Sequence, residues 1–170
     1  MKKFVSIIFA AILLATTACA AGDDDTSEVS TGSTTTIQGA STMKININIE
    51  SDTGTHTLTA TLSNNKSAAA FYALLQKGAV TVKMHDYGNF EKVGSLGTSL
   101  PRTDTQITTS AGDIILYQGN QITIYYDTNS WNFTRLGKVV STSSTTTITQ
   151  AELKKILGKG DVTAIFSVME

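Results

Sequence analysis

Two histidines, one cysteine and a scatter of aromatic and arginine side chains are what this 170-residue chain offers for chemistry. A metal cage needs three or four His, Cys or carboxylate ligands at short spacings. His56 and His85 have no such company, so no metal and no other cofactor is expected. No serine sits in a Gly-x-Ser-x-Gly elbow. Gly88, Gly94 and Gly97 do not run from a strand into a helix at phosphate-loop spacing. What remains suits binding: Tyr87, Phe90, Leu100, Arg102, Tyr126, Trp131, Phe133 and Arg135 come from one long segment and the strands after it. Aromatic faces and guanidinium planes stack on a ring, a peptide or a sugar. From this set Tyr87, Phe90, Arg102, Tyr126, Trp131 and Arg135 are the candidate ligand-binding residues, for a small molecule or an extended peptide. The structural alternatives stand beside them. Tyr126 and Phe133 also read as core, Arg135 as a surface charge or ion-pair partner, and Trp131 as a residue beside the Asn129-Ser130 turn.

Cys19 is withdrawn from the nucleophiles by its place. Lys2 and Lys3 precede an apolar run from Phe4 to Ala15, and Thr16-Thr17-Ala18-Cys19 follows. A basic start, a short apolar run and small residues before a cut site describe an export signal, too short for a comfortable membrane span. Ending that signal on the only cysteine resembles the lipobox of bacterial lipoproteins, with Thr16 where Leu is usual. The resemblance implies lipid attachment at Cys19. The alternative is a plain secretory signal cut at Ala18 or Ala21. Gly22-Asp23-Asp24-Asp25 reads either as a solvated start to a linker or as an acidic export tag resembling that of some surface lipoproteins of Bacteroidetes. The expected address is therefore a bacterial cell envelope, with the membrane as a partner through the lipid on Cys19. The tag reading adds the outer membrane and exposure at the cell surface.

Residues 19–42 are rich in Ser, Thr and Gly, carry no sustained apolar period, and form the expected flexible tether after the 1–18 signal peptide. Residues 43–170 then form one domain, long enough for a single core. A formal net charge of −1 gives no basic footprint, so nucleic acid is excluded as a partner. Without a second cysteine the domain has no internal disulfide and relies on its core.

Within that domain, Ile45, Ile47 and Ile49 alternate with polar residues, as do Leu58, Ala60 and Leu62 after the Ser51–Gly54 turn, which predicts an antiparallel hairpin. Asn64 or Asn65 caps a helix carrying Phe71, Leu74 and Leu75 on one face, closing near Lys77-Gly78. Val80, Val82 and Met84 mark a strand. His85 to Gly112 reads as a long loop-rich segment, of the kind that often carries function. Further strands follow at Asp113–Tyr117, Ile122–Tyr126 and Leu136–Val140, the first two joined by a turn with Gly119 at its first central position. Thr149 and Glu152 match a capping box for a short helix, and Val162 to Val168 alternates as a last strand. Helices are expected near 65–77 and 150–157. Many strands with two short helices suit a closed β-barrel, which removes exposed strand edges.

Several stretches carry a more specific signal: Tyr87-Gly88-Asn89-Phe90-Glu91-Lys92-Val93-Gly94, Leu100-Pro101-Arg102, the run from Gly112 to Tyr126, and Asn129-Ser130-Trp131-Asn132-Phe133-Thr134-Arg135-Leu136-Gly137-Lys138. Together they resemble the small bacterial cyclophilin-like domain family, over about residues 43–168. The resemblance implies a mainly β fold, a closed cyclophilin-like β-barrel with two short helices. It gives shape more readily than activity. True cyclophilins are peptidyl-prolyl isomerases that present an arginine from a Phe-His-Arg strand, and rotation about the peptide bond has a barrier of about 20 kcal/mol for that guanidinium to lower. Here the matching strand ends Val82-Lys83-Met84-His85-Asp86-Tyr87, and Arg102 and Arg135 do not match the catalytic position. No catalytic residue is carried over. The expected function is a non-catalytic binding module. A divergent peptidyl-prolyl isomerase is the enzymatic alternative, and a purely structural envelope protein, with no cleft, is the third.

Overall fold

Isoleucine at every second position builds the first strand. In β1 (Lys44–Ser51) Ile45, Ile47 and Ile49 are fully buried while Lys44 and Glu50 are exposed. The computed structural model describes residues 42–141 and 147–169; the expected signal, Cys19 and the tether up to residue 41 lie outside them. β2 (Gly54–Leu62) returns antiparallel with Ile47 opposite Leu58. α1 (Lys66–Leu75) is capped by Asn65, whose side chain accepts from the Ala68 N–H at 2.8 Å. The strands β3 (Val80–Tyr87), β4 (Glu91–Ser95), β5 (Thr105–Thr108), β6 (Asp113–Tyr117), β7 (Gln121–Tyr125) and β8 (Ser130–Val140) follow. α2 (Gln150–Leu157) begins on the expected capping box: Thr149 N–H donates to Glu152 Oε2 at 2.9 Å and Glu152 N–H to Thr149 Oγ1 at 3.3 Å. β9 (Val162–Val168) completes the domain.

The strands run β2-β1-β9-β3-β4-β7-β6-β8, and β8 pairs back onto β2. Every pair is antiparallel, so the eight strands close into a barrel, as expected, and β5 adds to β8 from outside the ring. Closure depends on Gly137, which lies opposite Leu62. A Cβ there would stand 2.5 Å from the Thr61 carbonyl oxygen, so only glycine lets β8 come this close to β2. The interior is filled by the inward residues of the eight strands, joined by Phe71 and Leu75 of α1 and Leu153 and Leu157 of α2. Phe71 meets Phe166 edge-on at 5.7 Å.

β8 carries an irregularity that decides what faces out. Ile114 pairs with Gly137 and Ile115 with Arg135, leaving Leu136 as an extra residue. Such a bulge reverses the alternation along one strand. Thr134 and Leu136 point inward on one side of it and Val139 on the other, all fully buried. Arg135 and Lys138, three apart and on opposite faces of a regular strand, therefore both face outward and both reach Asp113.

Three local expectations are refined or corrected. The segment from His85 to Gly112 is loop-rich but not free of strands: β3 runs to Tyr87, and β4 and β5 lie within it. The turn between β6 and β7 spans Tyr117–Asn120, closed by Asn120 N–H to Tyr117 C=O at 3.3 Å. Gln118 and Gly119 both have positive φ there, so Gly119 is the second central residue rather than the first. The strand expected at Leu136–Val140 starts six residues earlier, at Ser130.

An aromatic pocket on the barrel wall

The outward faces of β4 and β7 lie side by side, with Glu91 opposite Tyr125, Val93 opposite Thr123 and Ser95 opposite Gln121. Strand alternation sends these residues away from the interior, while Lys92 and Ile124 point into it. Tyr117 from β6 and Phe133 from β8 extend the same outer face. Ile115, Tyr125 and Phe133 form a second apolar cluster, apart from the barrel core, against which Phe90, Ile107 and Tyr117 pack. β5 supplies Ile107 and borders this cluster through its pairing with the first half of β8.

The rings form a continuous series. Tyr87 meets Phe90 edge-on at 5.9 Å, Phe90 stacks on Tyr125 at 5.9 Å with 9° between planes, Tyr125 leans on Phe133 at 5.6 Å, and Tyr117 meets Phe133 at 6.4 Å. Each such pair adds about 0.5–1.5 kcal/mol beyond the area it buries. Phe90 is delivered by the turn from β3 to β4, in which Gly88 and Asn89 have φ of 58° and 59°. Glycine takes that conformation freely and asparagine tolerates it. A Cβ on Gly88 would lie 2.2 Å from Phe90 Cε1, so the ring occupies space that only glycine leaves.

Between these rings lies a cavity of about 420 Å³, lined by Tyr87, Phe90, Glu91, Val93, Tyr117, Gln121, Tyr125, Asn129, Trp131 and Phe133. It falls in the size range of small-molecule sites. Tyr87 and Trp131 are the exposed rings, at 59% and 61%. Tyr125, Phe133 and Glu91 are buried. Burial drives the Glu91 carboxyl above its ordinary value; the Tyr125 and Thr123 hydroxyls nearby oppose the shift without reversing it. Burial, and then the neighbouring Glu91, push the Tyr125 phenol up in turn.

Three of the six candidate binding residues, Tyr87, Phe90 and Trp131, come together at this cavity. The other three stand elsewhere. The Arg102 guanidinium donates to Asp104, from Nε at 2.9 Å and also from Nη2, and Thr134 donates to the other Asp104 oxygen. Arg135 pairs with the buried Asp113, Nη2 to Oδ2 at 3.2 Å, while Lys138 reaches Oδ1 at 3.1 Å and the Ser110 N–H donates to Oδ2 at 2.8 Å. Tyr126 is core, its hydroxyl donating to Asp86 and its ring lying 5.4 Å below the Lys154 ammonium. Tyr126 and Asp86 border a different, more open cavity of about 890 Å³ beside the end of α2.

Lys92 fastens that neighbourhood from inside. It is fully buried, and its ammonium donates to Asp86 at 2.6 Å and to the Gly160 carbonyl at 2.6 Å. Burial raises the Asp86 carboxyl, but hydrogen bonds from Lys92 and Tyr126 outweigh it and hold the group below its ordinary value. His56 bonds through Nε2 with Thr53 Oγ1 at 3.1 Å, and His85 is exposed on β3. Among the described residues no three His, Cys, Asp or Glu side chains converge to hold a metal. No helix among them is long and apolar enough to cross a membrane. The lining residues that sequence reasoning did not single out for the pocket include Glu91, Tyr117 and Tyr125. The alternation that puts Glu91 in phase with Val93 was the available signal.

The comparisons with known proteins agree on the fold. A family model described as the cyclophilin-like family matches residues 51–167. The solution structure of a hypothetical protein from Archaeoglobus fulgidus resembles this chain with a TM-score of 0.50 at 12% identity, over 75% of this chain and 97% of that one. At that identity the likeness is one of fold. No curated protein gives a significant match.

Proposed function

The chain belongs to the cyclophilin-like family, and from that premise we propose that it is a non-catalytic binding module whose ligand seats in the aromatic pocket. The observation that carries this reading is the lining itself. Six aromatic rings surround a cavity of about 420 Å³, and among the described residues no arginine, lysine or histidine lines it. Rings supply area and stacking to a bound group, but an isomerase also needs a cation to weaken amide conjugation. Arg102 and Arg135 are held by Asp104 and Asp113.

The ligand class is a small molecule or a segment of extended peptide. The module is anchored in a cell envelope by lipid on Cys19, with residues 19–42 as the tether. A myristoyl-length chain alone binds membrane weakly, at about 10⁴ M⁻¹, and two or three chains hold firmly. The divergent isomerase is the second reading, favoured by aromatic walls able to receive a proline ring.

A proline-peptide isomerisation assay run beside a thermal-shift ligand screen tests the choice. A stabilising ligand whose effect is lost in Trp131→Ala, with no isomerase turnover, supports the binding module. Turnover abolished by Trp131→Ala establishes the isomerase instead. Metabolic labelling with a fatty acid tests the anchor: label on the wild type and none on Cys19→Ala is expected, and equal label on both excludes it.

A further inference from the structure

A carboxylate is costly to bury among aromatic rings unless something pairs with it. Glu91 is 7% exposed, lines the pocket, and its Oε2 has no hydrogen-bond partner among the described residues. The Tyr125 and Thr123 hydroxyls stand beside the carboxyl and favour its charged form, but neither carries a positive charge. Among the described residues no lysine or arginine forms an ion pair with this carboxylate. Lys92 is adjacent in sequence but points to the other face of β4 and is engaged by Asp86 and Gly160. His85, two positions before Tyr87 on β3, makes no ion pair with it.

We infer that the pocket binds an organic cation, an ammonium or guanidinium group on an apolar body, with the charge seated against Glu91 and the body stacked among the rings. This rests on the binding-module reading and names its ligand class. Two features of the pocket serve the same charge. The faces of tyrosine, phenylalanine and tryptophan attract cations, most strongly where water is excluded. A buried carboxylate adds a charge-assisted hydrogen bond that a neutral ligand cannot replace. Burial disfavours the charged carboxyl in the free pocket and raises its pKa above the ordinary value, and a cation seated beside it favours the charged form. The titratable groups that share this face with Glu91 are His85 and Tyr87 of β3, Tyr117 of β6 and Tyr125 of β7. A free amine and the basic side chain of a peptide present the same chemistry.

The test uses the full chain and follows Trp131, its only tryptophan, which lines the pocket. Phenethylamine is titrated beside 2-phenylethanol, which has the ring without the charge, beside phenylacetate, which reverses it, and beside a capped Phe-Lys dipeptide. Phenethylamine is expected to shift the Trp131 emission at concentrations where the neutral and anionic probes do not. Glu91→Gln is expected to weaken its binding about tenfold or more while the thermal transition stays intact. If Glu91→Gln folds poorly, pH replaces it: in a His85→Asn background the wild-type carboxyl should lose phenethylamine as pH falls and leave 2-phenylethanol unaffected. Tighter binding of the dipeptide than of phenethylamine assigns the cation to a peptide side chain, and the reverse assigns it to a free amine. If 2-phenylethanol or phenylacetate binds as well as phenethylamine, or Glu91→Gln changes nothing, the cation inference is overturned and the pocket remains a binding site. If none of the four probes moves Trp131, while a screen finds a ligand elsewhere or none, the inference and the pocket reading fall together.

Discussion

Arg135 and Asp113 form an ion pair across β8 and β6, Nη2 to Oδ2 at 3.2 Å, around a carboxylate that is almost wholly buried. Lys138 shares the same carboxylate from the other side of the bulge. Removing the acid strands two cations, so Asp113→Asn should destabilise the domain by about 2–4 kcal/mol. Arg135 is more exposed and its loss leaves Lys138 in place, so Arg135→Ala should cost about 1 kcal/mol. Urea unfolding of both variants checks the order. Arg135→Ala should leave ligand affinity at the aromatic pocket unchanged.

Lys92 is expected to matter more than its single charge suggests, because Asp86 and a carbonyl of the loop before β9 both accept from it. Lys92→Ala should cost about 2–4 kcal/mol, and Lys92→Met less, since methionine refills the space. The pair also sets a pH dependence. Asp86 titrates below its ordinary 3.8 in the folded protein, so its contribution is complete above that value and is lost as pH falls through the lower folded value. Acid unfolding should be less steep in Lys92→Met than in the wild type.

Glu91 works in the opposite sense. Its folded value lies above the ordinary 4.5, so the folded state holds a proton that the unfolded chain releases, and stability falls as pH rises from 4.5 through the folded value. Glu91→Gln should remove that fall and equal or exceed wild-type stability at neutral pH. Denaturation midpoints measured from pH 4 to 8 decide it: a wild-type curve parallel to that of Glu91→Gln would refute the assignment.

The turn that delivers Phe90 offers a test that separates the pocket from the barrel. Gly88→Ala places a methyl against the Phe90 ring at a positive φ, which should cost about 1–2 kcal/mol and loosen the stack on Tyr125. Near-ultraviolet circular dichroism should lose aromatic signal while the far-ultraviolet strand signal persists. Trp131→Ala, at an exposed ring, should change stability by less than about 0.5 kcal/mol.

Much of this architecture was legible from residue types. The Ile45-Ile47-Ile49 alternation, the Asn65 cap and the Thr149–Glu152 box each specify their element by local chemistry, and the structure has all three. β4 was hidden because Glu91-Lys92 opens it, and two adjacent charges read as solvated loop. Both are buried, Lys92 because three oxygen acceptors meet it and Glu91 because rings surround it. β5 is short and mostly polar, and only pairing with β8 makes it a strand. Arg135 was a reasonable binding candidate until the bulge turned it toward Asp113, and no local pattern announces a bulge. Tyr87, Phe90 and Trp131 were legible as a group. Tyr125 was not, because Ile122, Ile124 and Tyr126 marked the inward face and left it between them without a role.

The position of β9 in the barrel has a consequence for the order of folding. β9 lies between β1 and β3, pairing Phe166 with both Ile47 and Val80. The middle of the wall is thus supplied by the final strand of the domain. Until those residues are available, β1 and β3 have no common neighbour, and the interior lacks Ala164 and Phe166. Most pairings also join distant parts of the sequence, a topology of high contact order that folds in about milliseconds to seconds rather than microseconds. The barrel therefore forms after synthesis of the domain is complete, and a chain ending before Val162 remains open along both of those strands.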